Sequence, residues 1–235
     1  MLVKSICSFV LFLAPVLALP QDKQTNQTSQ TPVQQQSATS TQTQKSEEGF
    51  VPLFNGKNLD GWWGNVKGYF VENGVLVCDP KRGGNIFTKK QYKDFILRLE
   101  YKVPPGGNNG IAIRAPKHGH PSYDGMEIQI LDDYAPQYAH LKPEQYNGSI
   151  YGVVAAKRGH LKPAGQWNEM EIMAKGPHIR VTLNGAVIVD ADLSKIGPKS
   201  IHGRQVKGVK RTKGYIGFLG HGARVEFRNI RIKEL

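Results

Sequence analysis

The sequence is poor in cysteine and contains no stretch with the apolar periodicity of a helix. It has 2 cysteines in 235 residues, and Cys7 lies inside an apolar run near the N-terminus. Beyond that run only Cys78 is left, so an intrachain disulfide is excluded for the rest of the chain. Cys78 ends an alternating apolar segment, which is typical of a small buried side chain rather than of a nucleophile.

Several ligand motifs are also missing. His and Cys do not occur at the spacing of a zinc site. A phosphate-binding loop and a dinucleotide fingerprint are absent, because Gly106 and Gly107 follow a predicted strand but open no helix. These absences argue against zinc-dependent and nucleotide-dependent chemistry.

Residues 1–20 have the pattern of a secretory signal. One early lysine, Lys4, precedes an apolar run from Ile6 to Leu19, and Val16 and Ala18 fit the small-residue pattern before a cleavage site. The run is short for a membrane span, and an uncleaved anchor is the alternative. We expect a secreted or periplasmic protein without a membrane span in the mature chain.

Residues 21–47 are dominated by Gln, Thr and Ser and show no apolar periodicity. Such a composition cannot bury enough apolar surface to offset the entropy that is lost on ordering. We interpret this segment as a disordered tether. Residues 48–235 are then assigned to one globular domain, because their number suits a single complete core.

The formal net charge of +12 raises the question of a nucleic-acid partner. Residues 195–213 hold 7 Lys or Arg and no acidic residue, but the segment is rich in Gly and has no interleaved aromatic residues. A solvated loop, or one that contacts an acidic surface, is the better interpretation. We therefore predict no nucleic-acid partner.

Alternating apolar residues and turn signals predict an all-β fold. Two segments, Tyr69–Cys78 and His178–Asp190, have apolar runs joined by Asn-Gly, which is typical of a tight hairpin. Phe95–Val103 alternates over its whole length, and Ser149–Ala155 is strand-like. Roughly ten short strands at regular spacing indicate an antiparallel sandwich or barrel.

The strand whose side chains are best suited to catalysis or binding is predicted at Met126–Leu131. Its aliphatic residues alternate with Glu127 and Gln129, so the strand has one apolar face and one polar face. The polar face is either a wet outer surface or the floor of a binding groove. Arg114, on the preceding predicted strand, shares that face if the isoleucines beside it point into the core. A plain cross-strand ion pair between Glu127 and Arg114 is the alternative.

Several short motifs resemble, in order and spacing, the 3-keto-disaccharide hydrolase family. Their residues are Phe54-Asn55-Gly56, Leu59-Asp60-Gly61-Trp62, Asn108-Asn109-Gly110-Ile111-Ala112-Ile113-Arg114, Met126-Glu127-Ile128-Gln129-Ile130, Ile150-Tyr151-Gly152, Pro163-Ala164-Gly165-Gln166-Trp167-Asn168, Leu183-Asn184-Gly185, Gly217-Phe218-Leu219-Gly220-His221-Gly222 and Phe227-Arg228-Asn229-Ile230-Arg231-Ile232. The resemblance covers essentially the whole globular region. It implies a concanavalin A-like jelly roll of two antiparallel sheets with a concave sugar-binding face, export, and activity on glycosides that are oxidised at C3. One departure is Leu219, where the family usually has Gln, and it puts specificity or activity in doubt.

On this basis we assign the candidate site. The catalytic candidates are Glu127 as a base, His221 as a proton carrier and Arg114 as a cation for a developing enolate. The substrate-binding candidates are Gln129, Tyr151, Asn109 and Arg228, while Trp167 is assigned to the core, Asn184 to a turn and Asn229 to a bulge.

A divalent metal such as calcium is a further possibility. The carboxylates of Asp124, Glu127, Asp132 and Asp133 could supply oxygen ligands.

Two other functions stay open at this point. An ordinary retaining glycanase needs a pair of carboxyl groups about 5–5.5 Å apart, and Gln129 stands where the second acid would be expected. A non-catalytic glycan-binding module is compatible with Leu219 and with a tether that extends its reach. We expect a carbohydrate as the partner in each case.

Overall fold

The computed structural model describes residues 48–197 and 199–235. The predicted secretory signal and tether lie outside the described residues. The strands are β1 (Val51–Pro52), β2 (Trp62–Gly64), β3 (Tyr69–Glu72), β4 (Val75–Cys78), β5 (Gly84–Tyr92), β6 (Phe95–Lys102), β7 (Asn108–Ala115), β8 (Met126–Leu131), β9 (Trp167–Lys175), β10 (His178–Leu183), β11 (Ala186–Asp192), β12 (Gly214–Gly220) and β13 (Glu226–Glu234). One short helix, α1 (Pro121–Asp124), and several 3-10 turns complete the described part.

The strands form two antiparallel sheets, as predicted. The larger has eight strands in the order β11-β10-β9-β6-β13-β4-β3, with β1 paired to β13, and the smaller has the order β2-β5-β12-β7-β8. Apolar side chains of both sheets meet in one core, to which β6 contributes every second residue. In the described residues no helix is long and apolar enough to cross a membrane.

Both Asn-Gly hairpins are confirmed. Asn73 and Asn184 adopt positive φ angles of 51° and 49°, which L-residues other than Asn rarely tolerate. The predicted bulge at Asn229 is also confirmed, since its φ is 53° and the pairing of β13 with β6 shifts register there. Cys78 is fully buried, as expected.

The predicted strand at Ser149–Ala155 is wrong. Ile150 forms isolated bridges to Ile128 and Val154, and the N–H of Val154 donates back to Ile150, so the chain turns instead of extending. The positive φ of Gly152, 67°, accommodates this turn. The segment lies along the free edge of β8 and covers it.

Trp167 is not in the core, in contrast to its assignment. It shares a face of β9 with Glu169, while Asn168 and Met170 point inwards. Its ring packs under the Arg228 guanidinium, 4.1 Å away, on the outer face of the eight-stranded sheet.

Candidate active site

A cleft of about 510 Å³ lies on the outer face of the five-stranded sheet, above β7 and β8. A volume of this size is typical of small-molecule sites. Its lining comes from five parts of the chain and consists of Asn108, His120, Ser122, Tyr123, Glu127, Gln129, Tyr151, His202, Arg204 and His221.

The floor of the cleft is formed by β8. Because Met126, Ile128 and Ile130 point into the core, Glu127 and Gln129 point into the cleft, and each is only 4% exposed. The face is therefore a buried groove floor and not a wet outer surface.

Glu127 has an unusual environment for a carboxyl group. Its Oε1 atom is buried and has no hydrogen-bond partner among the described residues. Burial raises the pKa of Glu127 to about 7, against the opposing effect of a hydrogen bond from Ser122. A carboxyl group with this pKa exchanges its proton in the neutral range.

His221 is the nearest basic group to this carboxyl. It follows the end of β12 between Gly220 and Gly222, and its Nε2 atom lies 4.0 Å from Oε1 of Glu127. Partial burial and the neighbouring His120 lower the pKa of His221. Half of its side chain is exposed, so the imidazole joins the buried carboxyl to solvent.

Two polar side chains continue the floor beside Glu127. The Nε2 atom of Gln129 donates to Oδ1 of Asn108 over 2.9 Å, across the paired strands. Both amides keep further donors and acceptors, which can serve the hydroxyl groups of a ligand.

One wall is built from the segment that covers β8. The N–H of Tyr151 donates to the backbone carbonyl of Glu127 over 2.8 Å, which holds this segment beside β8, and the Tyr151 side chain lines the cleft. On the other side, α1 begins with Pro121 and is followed by Gly125, where a side chain would collide with the backbone of Pro121. This tight turn brings Ser122 and Tyr123 over Glu127.

The basic loop also reaches the cleft, which the sequence did not predict. His202 and Arg204 line it, so this part of the loop is not merely solvated. The sequence analysis also missed the lining residues Asn108, His120, Ser122 and Tyr123. The alternation of β7 could have identified Asn108. The core residues Ile111 and Ile113 have odd numbers, so the even-numbered Asn108 is expected on the opposite face of the strand.

The structure separates Arg114 from the cleft, contrary to our expectation. Arg114 is 1% exposed and has a φ of 49°, at a point where the pairing of β7 with β12 shifts register. The irregular backbone turns its guanidinium to the carbonyl oxygens of Lys93 and Arg211, with Asp94 at 3.5 Å. Arg114 therefore ties loops together and does not lie beside Glu127.

Two predicted substrate ligands also lie elsewhere. Asn109 is fully buried on the core side of β7, where its Oδ1 accepts from the N–H of Gly110. Arg228 lies on the outer face of the eight-stranded sheet and pairs with Glu100 at 2.7 Å. Neither lines the cleft.

The proposed calcium ligands are not gathered in one place. Asp124 accepts from the N–H of His120, Asp132 from that of Gly106, and Asp133 from that of Asn147. Within residues 48–197 and 199–235, no three His, Cys, Asp or Glu side chains are placed to share a metal ion.

A second cleft, of about 560 Å³, is less suited to chemistry. Asp132 is the one ionisable acid among its lining residues, and the N–H groups of Gly106 and Tyr134 already donate to its carboxylate. The cleft at Glu127 is thus the better candidate active site.

Leu219 lies on the same sheet face as the cleft but is only 2% exposed. It packs in a small apolar cluster with Phe87, Ala112 and Ala115, and Trp63 and Tyr215 lie against this cluster. The residue that departs from the family pattern is thus part of an apolar patch beside the site.

Comparisons with known proteins support both the fold and the family. A curated 3-keto-disaccharide hydrolase from Bacteroides thetaiotaomicron is 27% identical over 230 residues, which cover 80% of this chain and 79% of the relative. A crystal structure of a proposed glycosyl hydrolase from Parabacteroides distasonis is 33% identical, with a TM-score of 0.70 and coverage of 79% of this chain and 99% of that one.

A protein from Bacillus subtilis with a galectin-like fold is similar in fold alone, at 13% identity and a TM-score of 0.50, over 79% of this chain and 94% of that one. The predicted jelly-roll sandwich is confirmed by this agreement. A profile of the 3-keto-alpha-glucoside-1,2-lyase-like domain matches residues 49–233, most of the chain. The chain therefore belongs to the 3-keto-alpha-glucoside-1,2-lyase-like family.

Proposed function

We propose that this protein is a carbohydrate hydrolase that cleaves 3-keto-glycosides by removing the proton at C2, eliminating the C1 substituent and adding water. The observation that carries the proposal is the buried Glu127 carboxyl, whose Oε1 lacks a hydrogen-bond partner in the described residues and lies 4.0 Å from His221. The names of the family and of the Bacteroides relative support the substrate class.

The reaction depends on the ketone at C3, which acidifies the hydrogen on C2. When a base takes that proton, the C–H electron pair forms a C2–C3 double bond and the carbonyl pair moves to the C3 oxygen. As the ketone re-forms, the electron pair of the C2–C3 double bond moves to form a C1–C2 double bond. The C1–O bond breaks, and its electron pair stays on the leaving oxygen. Protonation of that oxygen and addition of water across the C1–C2 double bond give net hydrolysis.

Glu127 is proposed as the base. Its pKa of about 7 means that a large share of the carboxyl is ionised near neutral pH, while the group remains basic enough to accept the C2 proton. His221 then takes that proton from Glu127 and exchanges it with solvent, because its imidazole is close to Oε1 and half-exposed.

Gln129, Asn108 and Tyr151 are proposed to hold the sugar. The two amides can donate to and accept from its hydroxyl groups. The ring of Tyr151 offers a flat apolar face for the apolar side of a pyranose.

The alternative functions have less support. Retaining glycanases need two carboxyl groups about 5–5.5 Å apart, and among the described residues that line the cleft Glu127 is the only acid. A binding module has no need for a carboxyl group that is buried at a cost in free energy.

The test is incubation of the purified protein with a 3-keto-disaccharide, with and without added divalent cations, and measurement of the released sugar. We expect turnover by the wild type and a loss of about 10²–10⁴-fold in Glu127→Gln, the usual contribution of a general base. Glu169→Gln, which removes an exposed carboxyl from the other sheet, is the matched control and should keep wild-type activity.

The absence of release by the wild type under every cation condition would refute the proposal. If the wild type and Glu127→Gln also bound the sugar with equal affinity, the binding module would be favoured. Cleavage of an unoxidised glucan would instead point to an ordinary glycanase.

A further inference from the structure

The proposed elimination places negative charge on the C3 oxygen of the substrate. A preorganised cation or donor at that oxygen lowers the barrier to enolate formation. Arg114, which the sequence assigned to this task, lies in a different place, with its guanidinium on the carbonyl oxygens of Lys93 and Arg211.

Arg204 is the arginine that lines the cleft together with Glu127. Its guanidinium carbon lies 5.1 Å from the centre of the Tyr123 ring, a side chain that leans over the same cleft. A cation held against an aromatic face stays charged and keeps its N–H groups available at the edge.

No carboxylate neutralises Arg204 within the described part of the chain. Other arginines of the domain differ in this respect, because Arg180, Arg224 and Arg228 each form an ion pair with Asp or Glu. Lys207, the lysine nearest to Arg204 in sequence, also has a partner, since its Nζ lies 3.5 Å from Asp124. The charge of Arg204 is thus available to a ligand.

The backbone around Arg204 forms a hydrogen-bonded turn. The N–H of Ser200 donates to the carbonyl oxygen of Arg204 over 2.8 Å, and Gly203 donates to that of Ser200 over 2.9 Å. The φ of Gly203, 72°, permits this close turn. Arg204 is consequently presented by a hydrogen-bonded turn.

This turn is anchored to the wall that carries Tyr151. The N–H of Ile201 donates to the carbonyl oxygen of Gly152 over 2.9 Å, and Nζ of Lys142 donates to Ile201 over 3.4 Å. The His202 ring lies 6.1 Å from that of Tyr151. The loop position is therefore coupled to the proposed sugar platform.

We propose that Arg204 is a catalytic residue that donates to the C3 oxygen of the substrate and stabilises the enolate formed when Glu127 removes the C2 proton. This inference rests on the proposed function and adds the group that stabilises the negative charge on the C3 oxygen. The same guanidinium could serve a permanent anion, such as the carboxylate of a uronic acid unit, so the experiment must separate the two sources.

The experiment uses two 3-keto-glycosides that differ only in the second unit, one neutral and one a uronic acid. Release of that unit gives kcat and KM, and incubation in D₂O measures the exchange of the C2 hydrogen, which reports enolate formation directly. The variants are Arg204→Gln, Arg204→Lys and, as a control in the same loop, Lys210→Gln, which removes an exposed charge outside the cleft.

For Arg204→Gln we expect kcat and the C2 exchange rate to fall together by about 10²–10³-fold on the neutral substrate, as for the loss of one oxyanion donor. Arg204→Lys should recover part of this loss because it restores the charge without the forked geometry. Lys210→Gln should stay within about twofold of the wild type, since exposed charges contribute little.

Two outcomes would refute the role of Arg204 without refuting the proposed function. One is an active wild type together with an Arg204→Gln variant whose kcat is within about threefold of the wild-type kcat. The other is an effect confined to KM for the uronic acid substrate, which would make Arg204 a specificity residue for a permanent anion. A wild type that neither cleaves nor exchanges either substrate would instead refute the proposed function, and this inference with it.

Discussion

The Glu127 carboxyl occupies space that a side chain on the neighbouring strand would otherwise fill. Gly110 on β7 pairs with Gln129 in register, and a Cβ atom built on Gly110 would overlap Oε1 of Glu127. Glycine is required here for space, because the φ of Gly110 lies outside the left-handed region. The position of the proposed base thus depends on the absence of one methyl group.

This dependence predicts that Gly110→Ala loses activity and keeps its fold. The added methyl group has to displace the carboxyl of Glu127, and a displacement of about 1 Å can cost on the order of 10²-fold in rate. Turnover of a 3-keto-disaccharide measures the loss, and circular dichroism checks the fold.

Gly197→Ala is the matched control for this substitution, because in the described part of the chain no heavy atom beyond its two sequence neighbours lies within 4 Å of its Cβ position. It should leave the rate unchanged. Wild-type turnover in Gly110→Ala would mean that the geometry of Glu127 does not matter for the reaction.

At this scale the sequence located some site residues and missed others for physical reasons. Strict alternation was sufficient for Glu127 and Gln129, because β8 is regular. It failed at Arg114, where an irregularity in β7 reverses the direction of the side chain and no glycine marks the place. Arg204 could not be found by periodicity at all, since it reaches the cleft from a loop.

At the scale of elements, the two Asn-Gly hairpins look alike in sequence but differ in their contacts. Asn184 has three side-chain hydrogen bonds: its Nδ2 donates to His160 and Asn168, at 2.7 and 2.8 Å, and its Oδ1 accepts from Glu169 at 3.0 Å. Asn73 has no side-chain hydrogen bond to any described residue. One asparagine serves the turn alone, and the other also joins the hairpin to its neighbours.

Replacement of each asparagine by glycine should therefore have different effects. Both substitutions keep the positive φ that the turn needs. Asn184→Gly loses the three bonds and should lower the free energy of unfolding by about 1–3 kcal/mol, because a net hydrogen bond is worth about 1 kcal/mol.

Urea denaturation of the wild type and both variants measures the difference. Asn73→Gly is the internal control and should stay within about 0.5 kcal/mol of the wild type. Equal losses in the two variants would show that the side-chain bonds of Asn184 add nothing to stability.

Strands whose sequence alternates between apolar and polar residues were predictable, even where both faces are buried as in β8, whereas β5 was not. In β6 every second residue is buried, and its predicted span is almost the observed one. In β5 the consecutive residues Ile86, Phe87 and Thr88 are all buried and the pairing with β12 is irregular, so no period-2 pattern exists to identify the strand.

At the scale of the whole molecule, the pattern of strands predicted a two-sheet sandwich but not which outer face carries the site. Both outer faces are polar in part. On the eight-stranded sheet, charged side chains neutralise one another, as in the pairs Arg98–Glu171 and Lys102–Glu226. On the five-stranded sheet the buried Oε1 atom of Glu127 has no hydrogen-bond partner among the described residues, a difference that depends on tertiary packing.

The buried carboxyl of Glu127 should also make the stability of the whole domain depend on pH. Its pKa is about 7 in the folded protein and 4.5 in its ordinary range, so the folded state binds the proton more tightly than the unfolded chain. The unfolding free energy contributed by this group is therefore complete below pH 4.5 and is lost as the pH rises to about 7. The loss amounts to about 1.4 kcal/mol for each pH unit between the two values.

Glu127→Gln removes this dependence, because an amide does not ionise, and should be more stable than the wild type above pH 7. Thermal melting of both proteins at pH 5 and pH 8.5 measures the effect. We expect the Tm difference in favour of Glu127→Gln to grow by roughly 5–10 °C between these pH values, since 1 kcal/mol corresponds to roughly 2–4 °C in a domain of this size. Glu169→Gln, which replaces an exposed carboxyl on the other sheet, is the matched control and should not reproduce this growth. A Tm difference for Glu127→Gln that does not change with pH would mean that Glu127 is ionised in the folded protein at little cost, and that the cleft gives it no unusual basicity.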